Sequence, residues 1–435
     1  MPRMVVPPPG PASRSLAARL RAVESPNITP REDTIVWAEA SGANVRDADG
    51  NVYIDLTAGF AVAAAGHAHP DIAAAIARQA ARLPHGLGDV HPSEAKVLLL
   101  ERLAALAPDD LSVSILASAG AEAVEAALKT AVMATGRPGI LAFEGAYHGL
   151  TYGALAVTSR AMFRRPFQDQ LFAGVRFAPY PGAGTDPDDT LAAVRRLIDG
   201  AAGSSTPIGA ILVEPVQGRG GLIVPPAGFL ARLRDLCDER QIVLIFDEIY
   251  TGFGRTGRWF ACQHEGVTPD IMTVGKALTG ALPLSAAIGT PEVMAAWPPS
   301  EGEAIHTSTF LGSPTACAAA VAQMDVMEAE HLVERADTLG ATLRDWLCGW
   351  AAREPRIREL RGLGLMQGVR LDGVDGLSPN ELAARTVAGA LREGILLLPE
   401  GPDGDVLAVT PPLVITESQL IEALRILERV LATVS

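Results

Sequence analysis

The sequence predicts an α/β fold, with a mostly parallel sheet covered on both faces by helices and a separate α+β lobe after it. Two observations predict it. Short apolar runs alternate with longer stretches of helical period through the middle of the chain, and each run ends in a polar or glycine-containing cluster. Runs without polar alternation belong to strands buried on both faces, and their alternation with helices belongs to a parallel sheet.

Taken in order, Met1 to Arg14 with its Pro7-Pro8-Pro9 cluster reads as a disordered tail, residues 1–14. Val36 to Asp55 alternates around the turn signal Asp49-Gly50-Asn51 and predicts a small antiparallel hairpin. The buried strands are Val113 to Ala117, Ile140 to Phe143, Ile208 to Val213, Ile242 to Phe246 and Ile271 to Val274. Between the first two, Glu122 to Thr135 places Val124, Leu128, Ala131 and Val132 on one helix face. The last hundred or so residues mix helices (Val321 to Trp350, Glu417 to Thr433) with short strands near Leu365 and Val406.

Composition narrows the function. The 435 residues are ample for two lobes. A formal net charge of −14 argues against a general nucleic-acid binder, which needs a basic face. Cys237, Cys262, Cys317 and Cys348 form no C-x-x-C pair, which suits a reducing compartment. The N-terminal stretch has no apolar h-region, and no uninterrupted apolar run reaches the ~18 residues of a membrane span. A cytoplasmic protein without membrane partners is expected.

The polar strand ends carry the chemistry. Ligands of open α/β sheets bind beyond the carboxyl ends of the strands. There this chain offers Ser118-Ala119-Gly120, Glu144 to His148, Glu214, Asp247-Glu248 and Gly275-Lys276. Lys276 follows a buried strand and suits either a surface strand cap or a neutral amine able to form a Schiff base. Asp247 closes the most hydrophobic strand and needs a partner, either a cofactor's ring nitrogen or Arg255 or Arg258. Glu248 reads as outward-facing or structural. Ser118 to Glu122 is either an ordinary strand-to-helix turn or a phosphate site at a helix N-terminus. Tyr147 offers a stacking face or simply packs in a turn.

Other motifs are decoys. Gly252-Phe-Gly-Arg-Thr-Gly257 matches G-x-G-x-x-G, but Arg258 to Thr268 is a poor helix and leaves no βαβ unit. Gly275-Lys276 is followed by Ala277, so it is not a Walker A motif. His67, His69, His85 and His91 lack supporting carboxylate or cysteine spacing, and no metal is expected.

The ordered set of motifs resembles the class III pyridoxal-phosphate-dependent aminotransferases, the group of 4-aminobutyrate and ornithine aminotransferases. The resemblance runs from about Ala38 to the C-terminus. It rests on Asp49-Gly-Asn-Val-Tyr-Ile-Asp55, Gly66-His-Ala-His-Pro70, Tyr147-His-Gly149, Glu214-Pro-Val-Gln-Gly218, Asp247 to Gly257, Gly275-Lys276 and Thr307-Ser-Thr-Phe310.

It implies the fold of the type I pyridoxal-phosphate enzymes, with a large domain around a seven-stranded-type sheet (residues 66–329). A smaller α+β domain would come from both chain ends (15–65 and 330–435). Lys276 would bind pyridoxal 5'-phosphate as a Schiff base and shuttle the substrate proton. Asp247 would pair with the pyridinium nitrogen. Tyr147 and Ile249 would cover the two ring faces, and Gly120 and Ala121 would give backbone amides to the phosphate. Gln217 would lie near the phenolic oxygen, Glu214 would support the site, and Thr309 would reach the phosphate of a neighbouring subunit, which implies a homodimer with a shared active site.

Departures from the family pattern concern substrate recognition. The Ser-Gly-Ser of the phosphate loop reads Ala119-Gly120-Ala121, and two familiar arginine positions are occupied by Leu150 and Ala408. Arg219 stands where 4-aminobutyrate aminotransferases place a glutamate. The expectation is that Arg219 has taken over carboxylate recognition, with a surface ion pair as the alternative. The expected activity is amino transfer between an amine or amino acid and a 2-oxo acid. Racemisation or epimerisation on the same cofactor is the second reading, and a catalytically silent binding protein the third.

Overall fold

The computed structural model describes residues 1–29, 34–182, 184–374 and 376–434. Its centre is a seven-stranded sheet whose strands are β1 (Val113–Ala117), β2 (Gly139–Phe143), β3 (Val175–Ala178), β4 (Ile208–Val213), β5 (Val243–Asp247), β6 (Ile271–Val274) and β7 (Ser285–Gly289). Their order across the sheet is β1-β7-β6-β5-β4-β2-β3. Only β7 runs against its neighbours; the other pairs are parallel.

Every residue of β2, β4 and β5 is buried. The period of two is visible in what they pack against. Leu244 and Phe246 of β5 face one core cluster, while Val243 and Ile245 face a second cluster shared with Val124, Ala127 and Ala131 of the helix Gly120–Thr135. Both sheet faces are therefore dry, which is why these strands read as continuous apolar runs.

The sequence missed β3 and β7. β3 is a four-residue edge strand containing Arg176, and β7 (Ser-Ala-Ala-Ile-Gly) is made mostly of small residues with little β-propensity. The single helical stretch expected over Val321 to Trp350 is two helices, Pro314–Ala329 and Leu332–Ala351. They are separated at His331, whose φ of 51° lies in the left-handed region.

Two four-stranded sheets form the smaller part. The expected hairpin is three antiparallel strands, Trp37–Ser41, Asn44–Asp47 and Val52–Asp55, joined in parallel by Ile395–Leu396. Ile54 thus pairs with Ile395, tying the two chain ends together. The second sheet contains Ile357–Leu363, Met366–Leu371, Val406–Val409 and Leu398–Glu400.

Residues 1–14 depart from the expected disordered tail. Arg3 and Val52 exchange backbone hydrogen bonds of 2.9 Å. Val5 and Val6 donate to Asn51 Oδ1, Ala12 and Ser13 donate to the Asp49 carboxylate, and a helix spans Pro11–Arg21. The turn Asp49-Gly50-Asn51 supplies the acceptors that an isolated proline-rich segment lacks.

Candidate active site

Five strands of the large sheet point their carboxyl ends at one cavity of about 300 Å³. β1 leads into the helix beginning at Gly120, β2 into the loop of Tyr147 and His148, β4 into Glu214, β5 ends on Asp247, and β6 leads into Lys276. Of the residues expected at the site, Gly120, Ala121, Tyr147, Glu214, Arg219, Asp247, Ile249 and Lys276 all line this cavity. Gln217 and Thr309 do not.

Asp247 is buried and held on three sides. Its Oδ2 lies 2.7 Å from His148 Nδ1, and Oδ1 accepts from the Ile249 amide (3.1 Å) and Thr273 Oγ1 (3.2 Å). Neither arginine weighed as its partner reaches it. Arg255 donates to the carbonyls of Leu365 and Pro411, and Arg258 sits 3.5 Å from Asp337. The partner is a histidine 99 residues away in sequence, whose own amide is fixed by Thr158 Oγ1 at 2.9 Å. His148 Nε2 is buried and has no hydrogen-bond partner among the described residues. Glu248, next in the chain, is structural: it is buried and accepts from Thr251, Ala261 and Cys262.

Lys276 leaves β6 with φ of 42°, a left-handed conformation that side-chain-bearing residues seldom adopt. Its Nζ lies 3.7 Å from the centroid of the Tyr250 ring and takes no hydrogen bond among the described residues. Burial lowers its pKa to about 8, with Asp247 and Glu214 opposing the shift. A sizeable share of this amine is therefore neutral near pH 7–8, as a nucleophile or proton acceptor requires.

Glu214 is pushed up to about 7, chiefly by burial; His148 opposes that rise and Asp247 adds to it. Its two oxygens accept from the amides of Tyr147 (3.1 Å) and Gly218 (2.9 Å), so it holds two wall loops together.

The phosphate-loop candidate has the geometry of a helix start. Glu122 turns back to accept from the Ser118 amide at 2.8 Å and, more weakly, from Ala119 at 3.4 Å. Among the described residues the amides of Gly120 and Ala121 take no hydrogen bond, at the positive end of a 16-residue helix. A Cβ at Gly120 would stand 2.9 Å from Ile249 Cδ1, so any larger residue there would push the Ile249 side chain aside.

Gln217 lies behind the wall: Nε2 donates to the Glu144 carbonyl at 2.8 Å, and Oε1 is buried without a partner among the described residues. Thr309 is exposed, beside exposed Phe310.

Arg219 does pair with a glutamate, as its alternative reading expected, but the partner is buried and the arginine lines the cavity rather than the open surface. Its guanidinium carbon stands 4.9 Å from the centroid of the Tyr147 ring, and Nε lies 3.6 Å from Glu400 Oε2. Glu400 had no signal in the sequence, and it reaches the site from the end of a short strand near the C-terminus. The two familiar arginine positions offer nothing in exchange. Leu150 lines the cavity with an apolar side chain, and Ala408 is packed among Val216, Leu222 and Met366.

Comparison with known proteins decides the family. The aminotransferase class-III profile matches residues 28–431. The chain belongs to the class III aminotransferases. An acetylornithine aminotransferase of Methanosarcina mazei is 38% identical over 395 residues, 91% of either chain. An alanine/serine racemase of Pyrococcus horikoshii is 34% identical over 98% of this chain and 92% of its own. The structure of an amine transaminase from an uncultivated Pseudomonas species, in its PLP-bound form, superposes with a TM-score of 0.86 at 32% identity, covering 94% of this chain and 97% of that one.

The protein is thus a pyridoxal-phosphate-dependent aminotransferase. Its cavity fits the cofactor. It offers a lysine amine without a hydrogen bond, a buried carboxylate, two unused amides at a helix start and the ring of Tyr147.

Proposed function

We propose that this aminotransferase acts through Lys276 and Asp247, with the cofactor's phosphate on the Gly120 and Ala121 amides and its ring between Tyr147 and Ile249. When bound, the cofactor supplies a sink for the electron pair left as a C–H bond breaks beside the substrate nitrogen. Lys276 would hold the cofactor through its amine and, once the substrate's amine has displaced it, would accept that proton on its free Nζ and hand it back. Asp247, oriented by His148, Thr273 and the Ile249 amide, would keep the ring nitrogen protonated. Glu214 fixes the loop that carries Tyr147, and Gln217 supports the same loop through Glu144. Arg219 receives a carboxylate of the amino donor or of the 2-oxo acid.

One observation carries this reading. Among the described residues, Lys276 is the one lysine lining the cavity; it is half-buried, makes no hydrogen bond and has a pKa lowered to about 8, in the same cavity as Asp247. The test is a donor–acceptor screen on the purified holoenzyme, following new amino acid formed from a 2-oxo acid. Transfer in the wild type and none in Lys276→Ala supports the assignment; transfer surviving in the variant refutes it.

Racemisation is the second reading, favoured by the similarity to a racemase and by Leu150 and Ala408 in place of two arginines. Both reactions begin with loss of the same proton to Lys276. Incubating one L-amino acid without a 2-oxo acid separates them, because only racemisation then removes optical activity.

Thr309 is read as completing the phosphate site of a second copy, making the enzyme a homodimer. The support is that Thr309 stands outside its own cavity among exposed Ile305 and Phe310. Sedimentation at a dimer mass, with weaker cofactor retention in Thr309→Ala, is the expected result. A cytoplasmic location is supported by the free state of all four cysteines. The division into residues 66–329 and 15–65 with 330–435 is supported by the Ile54–Ile395 pairing.

A further inference from the structure

The outer wall of the cavity contains a charge arrangement that neither the motifs nor the relatives' names describe. Arg219 is gripped on two of its surfaces. One face of the guanidinium lies over Tyr147, and the Nε edge turns towards Glu400. Arg219 Nε and Glu400 Oε2 are both inaccessible to solvent, so that edge is closed to a ligand. Yet the Arg219 side chain as a whole remains 36% exposed and lines the cavity. The exposed part is its outer end, where the two terminal nitrogens form the fork that matches a carboxylate.

Glu400 is itself held. It is 7% exposed. The next residue, Gly401, accepts a 3.1 Å hydrogen bond from Arg160 Nη2 through its carbonyl. Arg160 does not line the cavity. Its charge nevertheless acts on both Glu400 and Arg219. Arg219 alone is ion-paired with Glu400, while the charges of Lys276 and Arg160 also act on it. Had Glu400 faced Arg219 alone, the pair would be neutral and would have little pull on a substrate anion. With Arg160 and Lys276 also acting on Glu400, the cations around this one carboxylate outnumber it, and the excess positive charge favours a substrate carboxylate.

We propose that Glu400 is a positioning residue for carboxylate specificity: with Arg160 behind it, it fixes the Nε edge of Arg219 so that the terminal fork faces the cavity. This rests on the reading of Arg219 as the carboxylate receptor and extends it to the residues that aim it. An arginine already aimed loses less rotational freedom on binding than a free one, and that saving appears as affinity for anionic substrates.

The experiment uses the holoenzyme and glutarate, a dicarboxylate without an amine, with affinity read by calorimetry. A second readout is the ratio of kcat/KM for 4-aminobutyrate over butylamine, donors that differ by one carboxylate. In Glu400→Gln, glutarate binding and the donor ratio are both expected to fall about tenfold, as for loss of one charge-assisted contact, with cofactor absorbance retained. Arg160→Gln, which leaves the cavity lining intact, is expected to weaken glutarate severalfold. Tighter glutarate binding in Glu400→Gln would mean that Glu400 competes for Arg219 and would overturn the proposal, as would unchanged binding in both variants. Unchanged glutarate binding in Arg219→Ala overturns the receptor reading itself, an outcome distinct from failure of the Glu400 and Arg160 variants alone.

Discussion

The two ends of the cavity are built differently. At the inner end, Asp247, Glu214 and Lys276 stand at or just beyond strand ends of one sheet, and the carboxylates are closed into hydrogen bonds of 2.7–3.2 Å with named partners. At the outer end, Arg219 and Glu400 come from a loop and a short edge strand, meet at 3.6 Å without a hydrogen bond, and Arg219 is partly exposed. The difference separates two tasks. The sheet fixes the groups that every substrate needs, and the loops carry the charges that tell one substrate from another. Inner substitutions should lower turnover for all donors alike, and outer ones should act according to whether the donor carries a carboxylate.

The largest effect expected is from Lys276→Ala, which removes both the cofactor's anchor and the proton carrier. Turnover with every donor should fall by roughly 10⁴-fold or more, measured in a single half-reaction by cofactor absorbance. A loss confined to carboxylate donors would break the division of tasks. Asp247→Asn keeps the shape but removes the charge, and a loss of roughly 10²–10³-fold in kcat, again for all donors, is expected.

Glu214 offers a test through pH. Its folded pKa of about 7 lies above the ordinary 4.5, so the folded chain holds a proton that the unfolded chain has already released between those values. Stability from this group is therefore full below pH 4.5 and is lost as pH rises through 7. Glu214→Gln should be increasingly stabilised relative to the wild-type apoprotein across that window, by up to about 3 kcal/mol. Chemical denaturation at pH 5 and pH 7.5 measures the difference. An equal difference at both values would mean that the carboxyl is not buried as described.

The smallest inner effect should come from His148→Gln, because histidine acts through Asp247. We expect a loss of about tenfold in kcat/KM for every donor and a displaced pH dependence of cofactor absorbance. Unaltered absorbance with reduced turnover would show that His148 does something other than orient Asp247.

These contrasts also explain what could be read from the sequence. The inner end was legible because buried parallel strands leave apolar runs, and the polar residue closing each run is placed by the sheet itself. That rule brought Asp247 and Lys276 to one site and left their roles open; the roles were read from the family resemblance. His148 was visible as a residue but not as a partner, since nothing local links it to an aspartate 99 residues on. Glu400 left no trace, because a carboxylate near a glycine turn looks like solvent-facing sequence until the fold brings Arg219 and Arg160 to it. Arg255 misled for the opposite reason. It is a charge near Asp247 in sequence that the chain spends on two backbone carbonyls elsewhere.

The left-handed backbone at Lys276 carries one more consequence. A residue with a Cβ held at φ of 42° costs about 1 kcal/mol or more relative to glycine, for which that angle is ordinary. The lysine is thus retained against the local preference of the chain. Among apoproteins, Lys276→Gly should be more stable than Lys276→Ala, although neither has an amine. Position 276 is a place where the enzyme gives up stability for reactivity.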